Sequence, residues 1–200
     1  MQATLDPHQE IHQRLLEAAC EAFREEGYRV SIDRIAARAQ VARQTVYNHF
    51  SSKDGLFAEV VRHAVQSVLV TLDGESDVRS TLLEFAHVYR EKLLSPEGLA
   101  IFRTMMAEAP RFPELAQQFF REGPLATRQR LAGYLARAME AGQLRRDDPD
   151  FAAEMLTAML VDFDRLRGLL NSQSDSPKTT KTTRVVDCFL HAFAPEKDTP

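Results

Sequence analysis

Between residues 43 and 50 the sequence combines side chains that can hydrogen-bond to the edges of nucleic-acid bases. The polar side chains of this segment share one face of a helical wheel, and they are Gln44, Thr45, Tyr47 and Asn48. Glutamine and asparagine can each form two hydrogen bonds with adenine, and a threonine methyl can contact the methyl of thymine. Val46 and Phe50 fall on the opposite face, where they can pack against a core. We therefore expect this helix to lie in the major groove of double-stranded DNA.

Side chains suited to phosphate surround this segment. Tyr47 and His49 can reach the phosphates of the DNA backbone, and Lys53 follows the helix at a point where a cation can bind that backbone. Ser31 caps another helix, whose free amide groups offer a further phosphate site. Arg43, at the first position of the segment, completes the predicted DNA-binding set.

The charge of the chain is distributed unevenly. From Tyr28 to Lys53 five basic residues stand against a single acidic one, Asp33, which gives this window a net charge of +4. The whole chain has 25 basic and 29 acidic residues and a net charge of −4, so the remaining residues carry −8. The overall acidity argues against non-specific coating of nucleic acid, whereas a local basic patch fits a specific contact with it.

Three short helical patterns position these residues. The first begins at Asp6-Pro7, Ser31 caps the second, and the third covers residues 43–50 after a tight turn. Helices this short are not stable alone, so they must share a core. A tight turn between the second and third helix is typical of the helix-turn-helix motif.

Longer helical patterns interrupted by prolines follow, and Gly123-Pro124 is expected to kink the chain. No strand pattern or repeat occurs, so the sequence predicts an all-α fold. We divide it into a three-helix helix-turn-helix domain, residues 1–55, and a second helical domain, residues 73–200. A linking helix, residues 54–72, joins the two.

Aromatic and methionine side chains recur at helical spacing in the second half of the chain. The candidates for a ligand pocket are Phe85, Tyr89, Phe102, Met105, Met106, Phe120 and Tyr134. A core and a pocket both explain this spacing, because methionine is adaptable enough for either. Asp162 interrupts an apolar face between Met159 and Phe163. It is either the buried partner of a basic group or a residue at the rim of that face.

Other functions find little support in the sequence. No apolar run reaches the roughly 18 residues of a membrane span and the N-terminus has no secretory signal, so we expect no membrane partner and a cytoplasmic location. His8 and His12, at i and i+4, can hold zinc, but no third ligand is near in the sequence, so we predict no metal site and no cofactor. No nucleophile setting or glycine-rich phosphate loop occurs, so we do not expect an enzyme.

The alternative to a DNA-binding protein is a helical interaction or small-molecule-binding module without operator-specific DNA binding. Salt-dependent binding to duplex DNA would distinguish the two, because only a DNA-binding protein would show it.

The segment IAARAQVARQTVYNHFSSKDGLFAEV, residues 35–60, resembles the DNA-binding domain of the TetR family of transcriptional regulators. The matching positions are Thr45, Val46, Tyr47, His49, Phe50, Lys53 and Leu56, with Phe23, Gly27, Ile35 and Ala36 around them. The family usually has glycine in the turn where this chain has Gln40, so we expect a strained or altered turn there. Arg43 and Gln44 lie where the family varies most, and the resemblance implies that they carry the protein's own operator preference.

Residues from about 80 to 165, including the segment EAPRFPELAQQFFREGP, resemble the effector domain of the AefR-like subgroup. The resemblance implies a homodimer and a small-molecule pocket, and it leaves the effector unnamed. It further implies a repressor that binds a palindromic operator and is released by a small apolar or amphipathic effector. The dimer interface is then a four-helix arrangement of residues about 148–170 and 180–193 from each subunit.

Overall fold

A computed structural model describes residues 6–74, 76–171 and 178–195. These residues form ten α-helices and no strand, which confirms the predicted all-α fold. The helices are α1 (Pro7–Glu26), α2 (Ile32–Arg38), α3 (Arg43–His49), α4 (Lys53–Leu69), α5 (Val78–Leu94), α6 (Pro96–Glu108), α7 (Pro113–Phe120), α8 (Ala126–Glu140), α9 (Pro149–Leu169) and α10 (Lys178–Ala192). Short 3-10 turns follow α1 (Gly27–Arg29) and α4 (Val70–Asp73), and a π-helical turn (Arg121–Leu125) joins α7 to α8.

The chain divides into two compact units. The first unit consists of residues 1–63 and 100–122, and the second consists of residues 64–99 and 123–200. Each unit has its own cluster of buried apolar side chains. The boundaries between the units fall inside α4 and α6, and not in loops.

Residues of α6 and α7 pack with the N-terminal helices, although the predicted division placed them in the second domain. Met105 of α6 and Leu115 of α7 are buried in the same core as Phe23 of α1. The ring of Phe112 lies against Tyr28, with a distance of 5.5 Å between ring centroids. These helices therefore complete the core around which α1, α2 and α3 fold.

The helix α4 supplies buried side chains to both cores. Leu56 and Phe57 lie in the core of the first unit, and Val68 lies in the core of the second. By length and composition alone, the 21 residues Lys53–Asp73 could cross a membrane, but half of their apolar window is buried inside the protein. Such burial is typical of a helix that packs in a protein core.

Polar contacts hold α2 against α1 in the first unit. The guanidinium of Arg38 forms ion pairs with Glu21 at 3.3 Å and with Glu25 at 2.6 Å. Arg14 donates a hydrogen bond of 2.5 Å to the carbonyl of Ala39, which is one of the acceptors left free at the end of α2. Since α2 has only seven residues, these contacts and its buried face are what keep it in place.

The core of the second unit contains a buried arginine. Arg90 of α5 is only 5% exposed, donates to the carbonyl of Leu160 and pairs with the carboxylate of Asp164 at 2.8 Å. Lys181 of α10 reaches the same carboxylate at 2.8 Å. Partial burial raises the pKa of Asp164, but the hydrogen bonds from Lys181 and Arg90 outweigh it and hold the pKa below its usual value. This network joins α5, α9 and α10.

Asp162, the acidic residue singled out in the sequence, lies at the surface. Its side chain is 63% exposed and pairs with Arg165 at 3.0 Å. It is therefore a rim residue, and Asp164, two positions further on, is the partner of the buried arginine. Two positions along a helix correspond to a rotation of about 200°, so the two carboxylates face opposite sides of α9.

The chain stays helical through Gly123-Pro124, where the sequence predicts a kink. A π-helical turn carries it from α7 into α8, and Thr127 donates a hydrogen bond of 3.0 Å to the carbonyl of Gly123. The wider π turn accommodates the proline, which has no amide hydrogen to donate, inside an otherwise helical stretch.

The turn between α2 and α3 is strained as expected. Gln40 has a φ of 56°, in the left-handed region that glycine adopts more easily. The amide of Val41 donates to the carbonyl of Ala36 at 3.0 Å, and the Gln40 amide donates to Ala37 at 3.1 Å. These two bonds form the Schellman arrangement that ends many helices. At the end of α8 the corresponding position is Gly142, with a φ of 70°.

We expect Gln40→Gly to stabilise the protein, because glycine removes the left-handed strain while the two end-of-helix hydrogen bonds stay in place. The expected gain is about 1 kcal/mol in the free energy of unfolding, measured by denaturant titration at one fixed protein concentration. Ala37→Gly is the matched control, since it places glycine at an exposed helical position of the same turn and should cost about 0.5–1 kcal/mol. A loss of stability in Gln40→Gly would contradict the assignment of strain.

Candidate nucleic-acid interface

The helix α3 has the two faces expected from its sequence. Val46 and Phe50 are 1% and 7% exposed and belong to the core of the first unit. The other side of the helix faces solvent, with Arg43, Gln44, Tyr47 and Asn48 exposed and Thr45 and His49 half-buried. Three of the four predicted base-reading side chains, Gln44, Tyr47 and Asn48, thus face solvent, and the contact of all four with bases stays a prediction.

The exposed side chains of α3 hold one another in position. Gln44 donates a hydrogen bond of 3.2 Å from its amide to the carbonyl oxygen of Asn48, one helical turn away. This bond uses neither the carbonyl of Gln44 nor the amide hydrogens of Asn48, and an acceptor and a donor side by side are what an adenine edge requires. Arg43 pairs with Asp33 of α2 at 3.0 Å, and its guanidinium lies 5.6 Å from the centre of the Tyr47 ring.

Acidic residues from other helices pair with much of the basic window. Arg29 contacts Glu108 of α6 at 3.3 Å, and Arg34 contacts Glu26 of α1 at 3.1 Å. Arg38 is bound by two glutamates of α1. The net charge of +4 counted in the sequence therefore overstates the charge of this surface. These pairs are partly exposed, where an ion pair contributes little, so a phosphate can replace the carboxylate at a small cost.

Lys53 begins α4 and lies over an aromatic ring. Its ammonium is 4.4 Å from the centre of the Tyr28 ring, and the Tyr28 hydroxyl donates to the carboxylate of Asp54. Partial burial lowers the pKa of Lys53, against the attraction of Asp54 and Glu108. Burial, followed by the hydrogen bond to Asp54, raises the pKa of Tyr28, so its hydroxyl keeps the proton that it donates. Tyr28 thereby fixes the start of α4 and the position of Lys53.

Sequence reasoning missed Tyr28. Its signal was a lone aromatic residue directly after Gly27, the residue that ends α1 with a φ of 69°. A buried aromatic residue at such a reversal of the chain can pack against a later helix that passes close to the turn. Here that helix is α4, whose Phe57 meets the Tyr28 ring edge to face at 5.6 Å between centroids. The Tyr28 ring also stacks on Phe23 of α1 at 6.0 Å.

The remaining predicted DNA-binding residues are Ser31 and His49. Ser31 is exposed, and its side-chain oxygen accepts a hydrogen bond of 3.2 Å from the amide of Arg34, which caps α2. The hydroxyl hydrogen is not used by this bond. His49 is half-buried, and its ring lies 4.2 Å from that of His8, a contact that the sequence did not indicate.

The predicted pocket residues lie in several environments. Phe85 and Tyr89 stack at 5.4 Å between centroids inside the core of the second unit, and burial raises the pKa of Tyr89 to about 12. Met105 is buried in the core of the first unit. The other four are Phe102 and Tyr134, which are half-buried, and Met106 and Phe120, which are more than half exposed. The pocket that they were assigned to stays a prediction.

A second candidate surface runs along α9. Large apolar side chains recur every three or four residues on its exposed side from Met159 onward, and Phe151 lies two turns earlier. The side chains are Phe151, Met159, Phe163, Leu166 and Leu170. Phe163 is 61% exposed, and the guanidinium of Arg167 lies over its ring at 4.7 Å from the ring centre. Monomeric proteins rarely expose a continuous apolar face, so this stripe is typical of an interface with another protein surface. We call it the apolar stripe of α9.

Two family descriptions match this chain. Residues 15–60 match the DNA-binding domain of the tetR family of bacterial regulatory proteins, and residues 80–195 match the C-terminal domain of AefR-like transcriptional repressors. Among curated proteins, the helix-turn-helix-type transcriptional regulator YezE of Bacillus subtilis is 26% identical over 147 residues, which cover 70% of this chain and 75% of YezE.

Solved structures share the whole architecture. A TetR-family regulator from Mesorhizobium loti is 26% identical with a TM-score of 0.78, covering 95% of this chain and 100% of its own. The flavonoid-responsive regulator FrrA is 28% identical with a TM-score of 0.71, covering 94% of this chain and 100% of its own. The family match over residues 80–195 includes more than half of the chain. The protein belongs to the TetR family of transcriptional regulators, with a C-terminal domain of the AefR-like type.

Proposed function

We propose that the protein is a homodimeric repressor that binds a palindromic operator through α3 and is released by a small apolar or amphipathic effector. One observation carries this proposal: α3 buries Val46, its C-terminal cap residue Phe50 is buried as well, and the helix presents Gln44, Tyr47 and Asn48 to solvent. A helix with one face in the core and base-reading groups on the other is suited to the major groove. The protein is expected to act in the cytoplasm, where its operator would be.

Selection of bound sequences from random duplexes by the purified full-length protein tests this proposal. A two-fold symmetric dimer presents two copies of α3, so the selected sites should be palindromic with half-sites about one helical turn apart. Binding should also weaken steeply as salt rises, because phosphate contacts release counterions. Recovery of a single unrepeated half-site would contradict the symmetric mode, and absence of salt-dependent binding to any duplex would favour the interaction-module alternative.

Within the operator, we expect Gln44→Ala to relax the preference for particular bases. The substitution removes a base-reading amide and its bond to Asn48, so it should cost roughly 1–3 kcal/mol on the best site and less on other sequences. Fluorescence anisotropy with matched and mutated operators measures the difference. Gln66→Ala is the control, because Gln66 is an exposed glutamine of α4 outside the DNA-binding set. Equal weakening on every sequence would contradict base reading by Gln44.

The dimer is argued from the apolar stripe of α9. It falls within residues 148–170, the range expected to pair with its counterpart in a four-helix interface. The exposed side of α10 is more polar and includes Arg184, Asp187 and His191, which suits the rim of such an interface. Burial of the stripe against a second copy would remove an apolar surface from water and leave the polar rim hydrated.

Phe163→Glu should dissociate the dimer, because it places a charge at the centre of the proposed interface. We expect the free energy of dimerisation to weaken by about 2 kcal/mol or more, as for central aromatic residues of protein interfaces. Sedimentation equilibrium measures it, and operator affinity should fall in parallel. Phe120→Glu is the control, since Phe120 is similarly exposed but lies on α7. A dimer that survives Phe163→Glu would place the subunit contact elsewhere.

The effector is argued to be small and largely apolar. The core of the second unit includes the stacked Phe85 and Tyr89, and apolar pockets with few polar groups are the usual ligand sites. The related FrrA is described as flavonoid-responsive, which makes planar aromatic compounds a reasonable first panel.

An effector should raise the melting temperature of the protein and weaken its operator affinity. By thermodynamic reciprocity, operator DNA should then weaken effector binding by the same factor, which is typically 5–150-fold. Calorimetric titration of a flavonoid and fatty-acid panel, with and without operator, measures both factors. Compounds that stabilise the protein but leave operator affinity unchanged would argue against a ligand-controlled repressor.

A further inference from the structure

Three histidine rings meet where the beginning of α1 lies against the end of α3. His8 and His12 are one helical turn apart on α1, and their ring centroids lie 4.2 and 5.8 Å from that of His49. His12 also stacks on Phe50 at 5.0 Å. Nothing in the predicted DNA-binding role of His49 requires this contact. We call the three residues the histidine cluster.

The carboxylates next to the histidine cluster in the described part of the chain are not paired with its rings. Asp6 caps α1 by accepting a hydrogen bond from the backbone amide of His8 at 3.4 Å, and Glu10 is exposed in the same first turn. No carboxylate forms an ion pair with any of the three rings in the part of the chain that the structure describes. The Nδ1 atom of His49 is buried and has no hydrogen-bond partner there.

The cluster is not arranged for a metal ion. The His8 and His49 rings are tilted by 32° to each other and pack with 4.2 Å between their centroids. Among the described residues no group of three or more histidine, cysteine, aspartate or glutamate side chains is placed to hold one. Imidazole rings that pack together without an ion-pair partner are instead sensitive to protonation.

Protonation of the cluster opposes its packing. Two imidazolium rings at these distances repel each other, and no carboxylate among the described residues forms an ion pair with either ring. Burial, together with the positive charge that His8 and His12 would carry, lowers the pKa of His49. The folded protein therefore binds protons less readily than the unfolded chain, whose histidines titrate near 6.5. Stability is complete above that pH and decreases as the pH falls through it.

We propose that the histidine cluster is a proton-sensitive latch, which holds the first turns of α1 on the end of the recognition helix α3 at neutral pH and opens on acidification. Opening removes support from the C-terminal end of α3, so operator binding weakens in acid. This consequence rests on the proposed operator binding, whereas the opening itself does not.

The test compares the full-length dimer at pH 7.5 and pH 5.5 at constant ionic strength. We expect wild-type operator affinity to fall about tenfold between these values, and the melting temperature to fall with it. His8→Gln removes the ring closest to His49 and should bind the operator normally at pH 7.5 but lose less than about threefold at pH 5.5. His87→Gln is the control, since His87 is exposed on α5, and should keep the wild-type response.

Two outcomes overturn the latch. Operator binding that tightens in acid would mean that protonation strengthens phosphate contacts instead, and a His8→Gln response equal to that of the wild type would remove the cluster as the cause. The melting temperature separates this proposal from the proposed function. If no duplex is bound at any pH, operator binding fails, while the pH dependence of melting in the wild type, His8→Gln and His12→Gln still decides the latch.

Discussion

Apolar contact between helices that cannot persist alone is the constraint on which the DNA-binding unit depends. α2 and α3 have seven residues each, well below the roughly 12–15 at which an isolated helix becomes even marginal in water. Ile35 and Val46 are almost completely buried and tie both helices to the core of α1 and α4. Because stability comes from this inner face, the outer face of α3 can carry side chains chosen for a partner without loss of the fold.

Some features of this unit could be predicted and others could not, for a physical reason. The two faces of α3 follow from a period of 3.6 residues, which assigns each position a direction before any tertiary contact is known. The acidic partners of Arg29 and Arg34 come from α6 and α1, outside the basic window, and only folding brings them there. The same holds for His49, whose neighbours lie at the start of the chain while the sequence shows only the local His8 and His12 pair.

The second unit shows the same limit for buried groups. The sequence shows that an acidic residue within an apolar helix is unusual. It does not show which of Asp162 and Asp164 is buried, because that depends on Arg90 from another helix. Aromatic residues at helical spacing can be assigned to a buried core from the sequence, but the sequence does not say in which of the two cores they lie. Phe85 and Met105 were grouped together as pocket candidates, and they lie in separate cores.

In the proposed operator complex, the carboxylates that pair with the arginines of the DNA-binding unit would compete with the duplex for the same cations. A phosphate that binds Arg34 or Arg29 first has to displace Glu26 or Glu108. This cost is small and the same for every sequence, because phosphates carry no base identity. The competition therefore lowers the affinity for all DNA alike, and the preference for one sequence has to come from the base contacts of α3.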